Sequence, residues 1–134
     1  MAKPKILISD NLDQDGVDIL TASGLFDVDF RKKTSREELE AVIPEVEGLI
    51  IRSASKVDKA LVEKAAKLKV VIRAGVGVDN IDIPACSQKG IVVMNAPAGN
   101  SISTAEQAIA LMFAMARKLQ QAHGSMKQKK WEKK

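Results

Sequence analysis

Aromatic residues are scarce in this chain of 134 residues, which has one Trp, three Phe and no Tyr. The core must therefore be aliphatic, and little is available to stack on the bases of a nucleic acid. The net charge of +4 does not change this conclusion, because the basic excess lies at one end. Residues 117–134 hold seven Lys or Arg and one Glu, whereas the rest of the chain is slightly acidic. We expect no nucleic-acid partner.

Cysteine and histidine occur once each, as Cys86 and His123. A single thiol excludes an internal disulfide and indicates a reducing compartment. We interpret Cys86 as a small buried apolar residue rather than a nucleophile. His123 lies in the polar tail and is interpreted as a solvated side chain. With no Ser/His/Asp arrangement and no set of metal ligands, the sequence predicts neither a catalytic residue nor a metal site.

Long hydrophobic runs are also missing. The longest, residues 108–116, has nine residues, which is too short to span a bilayer. The first apolar segment, residues 6–8, is far shorter than the hydrophobic region of a signal peptide. The sequence therefore predicts a cytoplasmic protein with no membrane partner.

Short β-branched runs alternate with amphipathic stretches along residues 5–94. This pattern predicts an α/β fold with a five-stranded parallel sheet, right-handed crossovers and helices on both faces. The second strand, FDVDF, alternates polar and apolar residues as an edge strand does. Ser35 and Glu38 form a capping box at the start of a helix. The strands are predicted over 5–9, 26–30, 48–51, 70–73 and 91–94, and the helices over 12–23, 35–43, 58–68 and 81–90.

A long helix is predicted over residues 101–119, beginning with a second capping box at Ser103 and Glu106. Between residues 108 and 116 it is apolar on every side, which calls for partners on every side. It is either a central helix of this domain or, as we favour, a helix that packs against a domain or subunit outside this chain. We expect a domain over 1–100 and an interface helix with a basic tail over 101–134. Its apolar surface predicts a homodimer, formed by exchange of the 101–134 segment.

Two arginines follow neighbouring runs of the predicted sheet, Arg52 before Ser53 and Arg73 before Ala74. Ligands of open parallel sheets bind outside the carboxyl ends of the strands. If the third and fourth strands are neighbours, the two guanidinium groups lie at matching positions and can converge on one phosphate or carboxylate. The alternative, two surface arginines paired with nearby acids, stays open.

The segment RAGVGVDNID, residues 73–82, begins like a dinucleotide-binding loop but departs from one. Gly75 and Gly77 have the G-x-G spacing, whereas Asn80 stands where the third glycine belongs, and the loop follows the fourth strand instead of the first. Glycines let a ligand approach the backbone amides closely. The segment therefore predicts a loop that binds a carboxylate or phosphate, with a simple tight turn as the alternative.

Taken together, the segments ILISD, EGLIIRSASKVD, VVIRAGVGVDNIDIPACSQKGIVVMNAPAGNS and SMKQKKWEKK resemble the D-isomer-specific 2-hydroxyacid dehydrogenases over essentially the whole chain. Because both arginines are present, the resemblance is to members that use a phosphorylated substrate. It implies a flavodoxin-like substrate-binding domain with strand order 2-1-3-4-5 and a long apolar C-terminal helix leading into a Rossmann domain. The implied parent reaction is the NAD-dependent oxidation of 3-phosphoglycerate, which opens serine biosynthesis.

The resemblance also implies roles for individual residues. Arg52, with Ser53, and Arg73 would bind the substrate phosphate. The backbone amides of a four-residue loop would hold the carboxylate, and the third member of that loop would also lie near the nicotinamide of NAD. The loop consists of Ala74, Gly75, Val76 and Gly77.

Two further positions are implied at the end of the domain and of the chain. Asn100 would sit at the hinge, facing the cleft. Lys133 stands where relatives can carry an arginine that reaches a neighbouring substrate site. A lysine keeps the charge but loses the bidentate fork.

The chain ends before the true G-x-G-x-x-G loop of the family and before its catalytic arginine, glutamate and histidine. On the resemblance, NAD belongs to the full-length parent, and this chain alone neither binds it nor has dehydrogenase activity. The alternative is a self-standing flavodoxin-like module that binds an anion or a protein partner without enzyme activity.

Overall fold

The chain forms two compact units, Met1–Gly99 and Asn100–Lys134, in the computed structural model. Residues 2–131 are described. The first unit is an α/β domain and contains every β-strand of the described chain. The second is helical.

Five strands of four residues each form the sheet of the first unit. All its pairs are parallel and the order is 2-1-3-4-5, so the predicted fold class is confirmed and the second strand lies at an edge as expected. Two of the predicted strands match the structure residue for residue. The strands are β1 (Lys5–Ile8), β2 (Asp27–Phe30), β3 (Gly48–Ile51), β4 (Val70–Arg73) and β5 (Val92–Asn95).

Four α-helices connect these strands, and a 3₁₀ turn over Ile43–Glu45 follows the second of them. Ser35 and Glu38 form the predicted capping box. The other three helices begin at an aspartate whose side chain accepts from a backbone N–H of the first turn, which satisfies one of the free donors of a helix start. The helices are α1 (Gln14–Ala22), α2 (Arg36–Val42), α3 (Lys59–Lys64) and α4 (Ile83–Gln88).

The two faces of the sheet carry separate apolar clusters, because successive side chains of a strand point to opposite faces. On one face Leu7, Leu49 and Val71 pack with residues of α2, α3 and α4. On the other face Ile8 and Ile50 pack with residues of α1. Helices therefore cover both faces, as predicted. Because all five strands are parallel, their carboxyl ends lie along the same side of the sheet, which is its carboxyl edge.

The second unit differs from the single long helix expected over 101–119. Two helices, α5 (Ser101–Ala116) and α6 (Leu119–Lys127), are separated at Lys118, whose φ of 50° is left-handed and ends the first helix. The capping box predicted at Ser103 is wrong, since α5 begins two residues earlier and the Ser103 hydroxyl donates to the carbonyl of Asn100. Residues 101–104 hold three hydroxyl side chains that could each precede a helix, so the sequence pattern alone does not mark where the helix starts.

No helix within residues 2–131 is both long enough and apolar enough to cross a membrane.

Candidate functional site: the carboxyl edge of strands β3 and β4

The sheet register places the two predicted arginines one residue out of step. Arg73 is the last residue of β4 and lies opposite Ile51, so Arg52 follows one position beyond the paired residues. Neighbouring residues of a strand point to opposite faces. The Arg73 side chain therefore leaves the sheet on the face covered by α2, α3 and α4, and the Arg52 side chain on the face covered by α1. The matching positions expected from the sequence are corrected to this staggered pair at the same edge.

Arg52 lies in an open cleft of about 550 Å³ at the carboxyl edge of the sheet. One of its guanidinium nitrogens, Nη1, donates to the carbonyl oxygen of Asn11 at 3.0 Å. Lys32 lines the same cleft, so two cations face one volume of solvent, with Asp13 as the single acid. The complete lining is Asn11, Leu12, Asp13, Gln14, Phe30, Lys32, Arg52 and Ala74.

Arg73 folds back over the loop that follows it. Its Nη1 donates to the carboxylate of Asp79 at 2.8 Å, and this aspartate is largely exposed whereas Arg73 is mostly covered. Arg73 Nε is buried and has no hydrogen-bond partner. A Cβ added to Gly77 would lie 2.8 Å from both Arg73 Nη1 and Asp79 Oδ1. A side chain at position 77 would therefore displace the ends of these two flexible side chains.

The backbone amides of the loop 74–77 are not equally available to a ligand. The N–H of Ala74 donates to the carbonyl of Ile51 at 2.8 Å, and that of Gly75 turns back to the carbonyl of Arg73. Within the described chain, Val76 and Gly77 donate to no protein acceptor, and both are exposed. Two adjacent free N–H groups suit an anion. The Asn95 side chain, at the end of β5, donates to the carbonyl of Val76 at 2.7 Å and supports the loop.

A buried carboxylate, Asp10, holds the segment that carries Arg52. It follows β1, is only 4% exposed, and its Oδ2 accepts from the N–H groups of Arg52, Ala54 and Ser55 at 2.6–3.2 Å. Its Oδ1 accepts from the Ser55 hydroxyl at 2.6 Å. Four donors are enough to compensate the desolvation of a carboxylate. The residues of this segment, 52–55, are therefore bound to the end of β1.

Asn80 holds the same segment from the opposite side. Its Nδ2 donates to the carbonyl oxygens of Arg52 and Ser55 at 2.8 and 2.7 Å. The backbone carbonyl of Asn80 accepts from the N–H of Val57 at 2.8 Å, and this bond is a second link between the two loops. Asparagine at the place of the third glycine of a dinucleotide loop is thus a cross-link between the loop after β4 and the loop after β3.

The other predicted residues lie outside the arginine pair and the loop 74–77. Ser53 is exposed in the segment 52–55, and its N–H has no acceptor within residues 2–131. Asn100 is the first residue of the second unit and precedes α5. Lys133 lies outside the described residues. Cys86 is fully buried, as predicted, and burial with the nearby charge of Asp82 raises the pKa of its thiol. No three His, Cys, Asp or Glu side chains of the described part of the chain cluster as a metal site requires.

Sequence reasoning missed Asp10, Asn80 and Lys32 as contributors to this edge. Asp10 could have been found, since a lone acid directly after the first buried strand is at the ligand-binding edge of the sheet. Asn80 looked only like a missing glycine, because its two acceptors lie 28 and 25 residues away in sequence. Lys32 stands in a run of three basic residues that carries no signal of its own.

The chain is similar to known proteins over nearly its whole length. Residues 6–129 match the family model of the D-isomer specific 2-hydroxyacid dehydrogenases, described as the catalytic domain. The chain is 50% identical over 130 residues to a D-3-phosphoglycerate dehydrogenase of Archaeoglobus fulgidus and 49% identical to one of Homo sapiens. These matches cover 97% of this chain and 24% of each relative, so the chain spans about a quarter of their length.

Two solved structures have the same fold as this chain over most of its length. The NAD⁺-bound 3-phosphoglycerate dehydrogenase of Entamoeba histolytica is 33% identical, with a TM-score of 0.72 over 84% of this chain and 39% of that one. The PH0520 protein of Pyrococcus horikoshii is 27% identical, with a TM-score of 0.80 over 98% of this chain and 39% of that one. With the family model matched over nearly all residues, and with the sheet, strand order and cationic edge described above, the chain belongs to the D-isomer specific 2-hydroxyacid dehydrogenases.

Proposed function

We propose that this chain is the substrate-binding part of a D-3-phosphoglycerate dehydrogenase. The observation that carries the proposal is the edge of β3 and β4, where Arg52 opens into a cleft, Arg73 is paired with the exposed Asp79, and two loop amides are free for a ligand with two acid groups. The half-identical relatives carry that enzyme name. The parent reaction is the NAD-dependent oxidation of 3-phosphoglycerate to 3-phosphohydroxypyruvate, the first step of serine biosynthesis.

The phosphate binds to the staggered arginines. Arg52 opens into the cleft with Lys32, which suits an anion of more than one charge. Arg73 joins by exchanging Asp79, whose exposed carboxylate is weakly held in water, for a phosphate oxygen. Once Asp79 is released, the Arg73 side chain can reorient, and its buried, unpartnered Nε then forms a bidentate fork together with Nη2. Ser53, which follows Arg52 in the chain and has a free N–H, is the further donor proposed for this phosphate.

The substrate carboxylate binds to the loop after β4. Of the four residues predicted for this role, Val76 and Gly77 provide the free N–H groups, and Ala74 and Gly75 shape the backbone that presents them. Val76, which is 39% exposed, also lies where the nicotinamide end of the cofactor approaches. We assign the hinge role to Asn100, where the second unit begins, and to Lys133 the role of a cation for a neighbouring substrate site, both as the family resemblance implies.

NAD binding requires other parts of the full-length enzyme. A dinucleotide pyrophosphate does not fit the loop after β4, because the Asn80 side chain fills the place of the third glycine and Arg73 with Asp79 covers Gly77. The residues present can line the nicotinamide end only. The chain by itself accordingly binds substrate without oxidising it.

A homodimer is the assembly that the second unit favours, with exchange of residues 101–134 as its route. Large apolar side chains of α5 are exposed to solvent, among them Leu111, Phe113 and Met115 at 54%, 65% and 80%. Apolar surface of this kind is energetically costly in water and seeks a partner. A second copy of the chain carries the same surface.

Titration of the 134-residue chain with 3-phosphoglycerate and with glycerate, followed by amide NMR shifts, tests the ligand assignment. The phosphorylated acid should bind more tightly, and Arg52→Ala or Arg73→Ala should each weaken it by about 1.5–3 kcal/mol, because each removes a charge-assisted hydrogen bond. Arg31→Ala is the matched control, since this arginine is also paired with an aspartate but follows the edge strand β2, outside the two strands that carry the proposed site. Equal affinity for the two ligands would remove the phosphate assignment.

A further inference from the structure

The segment 52–55 is held from two sides, although it belongs to a loop at the surface. Arg52, Ser53 and Ala54 are exposed, whereas Asp10, which accepts from the N–H groups of Arg52 and Ala54, is only 4% exposed, and Ser55 at the end of the segment is 7% exposed. Exposed loop backbone is ordinarily bound to water and free to move. Here a buried charged group is committed to the backbone of a ligand-facing loop, which indicates a role in the geometry of that loop.

The bonds converge on the peptide groups around Arg52. Its N–H donates to Asp10 Oδ2 at 2.6 Å, and its carbonyl accepts from Asn80 Nδ2 at 2.8 Å. Its guanidinium donates to the carbonyl of Asn11, the residue next to Asp10. Both the backbone and the side chain of Arg52 are therefore oriented by groups far away in the sequence.

Ser55 closes the segment in the same way. Its N–H and hydroxyl donate to Asp10, and its carbonyl accepts from Asn80 at 2.7 Å. Its hydroxyl also lies 2.9 Å from that of Ser9. With both ends bound on both sides, the only free N–H of the segment is that of Ser53. Ser53 directly follows Arg52 in the chain.

We infer that Asp10 and Asn80 are positioning residues, which clamp the segment 52–55 so that the Arg52 guanidinium and the Ser53 N–H are preorganised for the phosphate of the ligand. This inference rests on the proposed function for the identity of the ligand. A preorganised loop loses less conformational freedom on binding, so affinity is gained without any direct contact from either clamp residue. Asn80 also links this segment to the loop that presents the Val76 and Gly77 amides, and so sets the distance between the two anion sites.

The test compares Asp10→Ala, Asp10→Asn, Asn80→Ala and the wild-type chain. The affinity for 3-phosphoglycerate should fall at least about tenfold in Asp10→Ala and in Asn80→Ala. Asp10→Asn should recover most of it, because the asparagine carbonyl can still accept from the three N–H groups while its amide donates to the Ser55 hydroxyl. Ile43→Ala is the control for a general loss of stability, since Ile43 is fully buried in the turn that precedes β3, away from the carboxyl edge.

Amide hydrogen exchange on the free chain provides a readout that needs no ligand. The N–H groups of Arg52, Ala54 and Ser55 should exchange at least about tenfold faster in Asp10→Ala, while those of β3 keep their protection. Ile43→Ala should accelerate amide exchange in β3 and in the segment 52–55 to a similar extent. Unchanged exchange in the segment, or an affinity in Asp10→Ala no lower than in Ile43→Ala, would overturn the clamp.

The two proposals fail separately. If the wild-type chain does not distinguish 3-phosphoglycerate from glycerate, the ligand assignment is wrong, and the exchange rates alone decide the clamp. If the wild-type chain shows the preference and Arg52→Ala loses it, but Asp10→Ala binds 3-phosphoglycerate as tightly as the wild type, the ligand assignment stands and the clamp is refuted.

Discussion

The two units of this chain contain similar aliphatic residues and use them in opposite ways. Leu49, in the middle of the sheet, is fully buried between helices, whereas Leu111, in the middle of α5, is 54% exposed. No residue of α5 or α6 is buried. The ion pairs within residues 2–131 all lie in the first unit as well. Apolar sequence by itself thus does not make a core, which requires two surfaces that close on each other.

The largest contrast is expected from the same substitution in both units. Leu49→Ala should destabilise the first unit by about 2–5 kcal/mol, because it removes buried methyl groups and leaves a cavity. Leu111→Ala should change stability by less than about 0.5 kcal/mol in dilute solution, where the side chain is exposed. Denaturant unfolding followed by circular dichroism measures both. Similar losses in the two variants would mean that α5 is packed as tightly as the sheet.

Self-association should depend on the second unit. Leu111→Gln should weaken a homodimer about tenfold or more, since burial of a leucine contributes about 1.5–3 kcal/mol and tenfold corresponds to about 1.4. Leu25→Gln is the control, because Leu25 is 65% exposed in the first unit. Light scattering over a range of concentrations provides the measurement. A wild-type chain that stays monomeric at high concentration would contradict the dimer.

The smallest effect is the loss of stability that we expect in the first unit at acid pH, when carboxylates paired with arginines are protonated. The Arg31 guanidinium lowers the pKa of Asp29, and the Arg36 guanidinium, with the N–H of Leu61, lowers the pKa of Asp58. A lowered carboxyl pKa stabilises the folded state above the unfolded value of about 3.9, and this stability is lost as the pH falls through the folded value.

Each of these partly exposed pairs should contribute less than about 1 kcal/mol, because solvent screens them. Thermal unfolding between about pH 5 and pH 2 measures the loss. Arg36→Gln should flatten the parts due to Asp58 and to Glu40, whose pKa Arg36 also lowers, while leaving the part due to Asp29. An identical pH profile in this variant would show that the pair does not contribute.

Much of the fold could be predicted because the relevant signals are local. The runs GLII and VVIR are short, β-branched and apolar, and both are strands with the predicted bounds. Ser35 and Glu38 are three residues apart, so their capping box depends on one turn of chain. The end of α5 was mispredicted, since residues 117–119 continue a helix-favouring composition and only the left-handed backbone of Lys118 interrupts it.

The candidate site was predictable in its residues and not in its arrangement. Arg52 and Arg73 are visible in the sequence as cations after apolar runs. Their stagger arises from the pairing of Ile51 with Arg73, which is a relation between two strands. A one-residue difference in register reverses the face to which a side chain points. No pattern within either strand contains that information.

The amino-acid sequence by itself determined the alternation of strands and helices, the edge strand, the capping box of α2 and the presence of cations at the ends of β3 and β4, because each depends on residues close together in the chain. The tertiary structure decided which of these groups meet. Asp10 binds a segment more than forty residues away, and Asn80 binds it from the other side. Such contacts exist only after the sheet has formed, because only then do the carboxyl ends of β1, β3 and β4 lie along one edge.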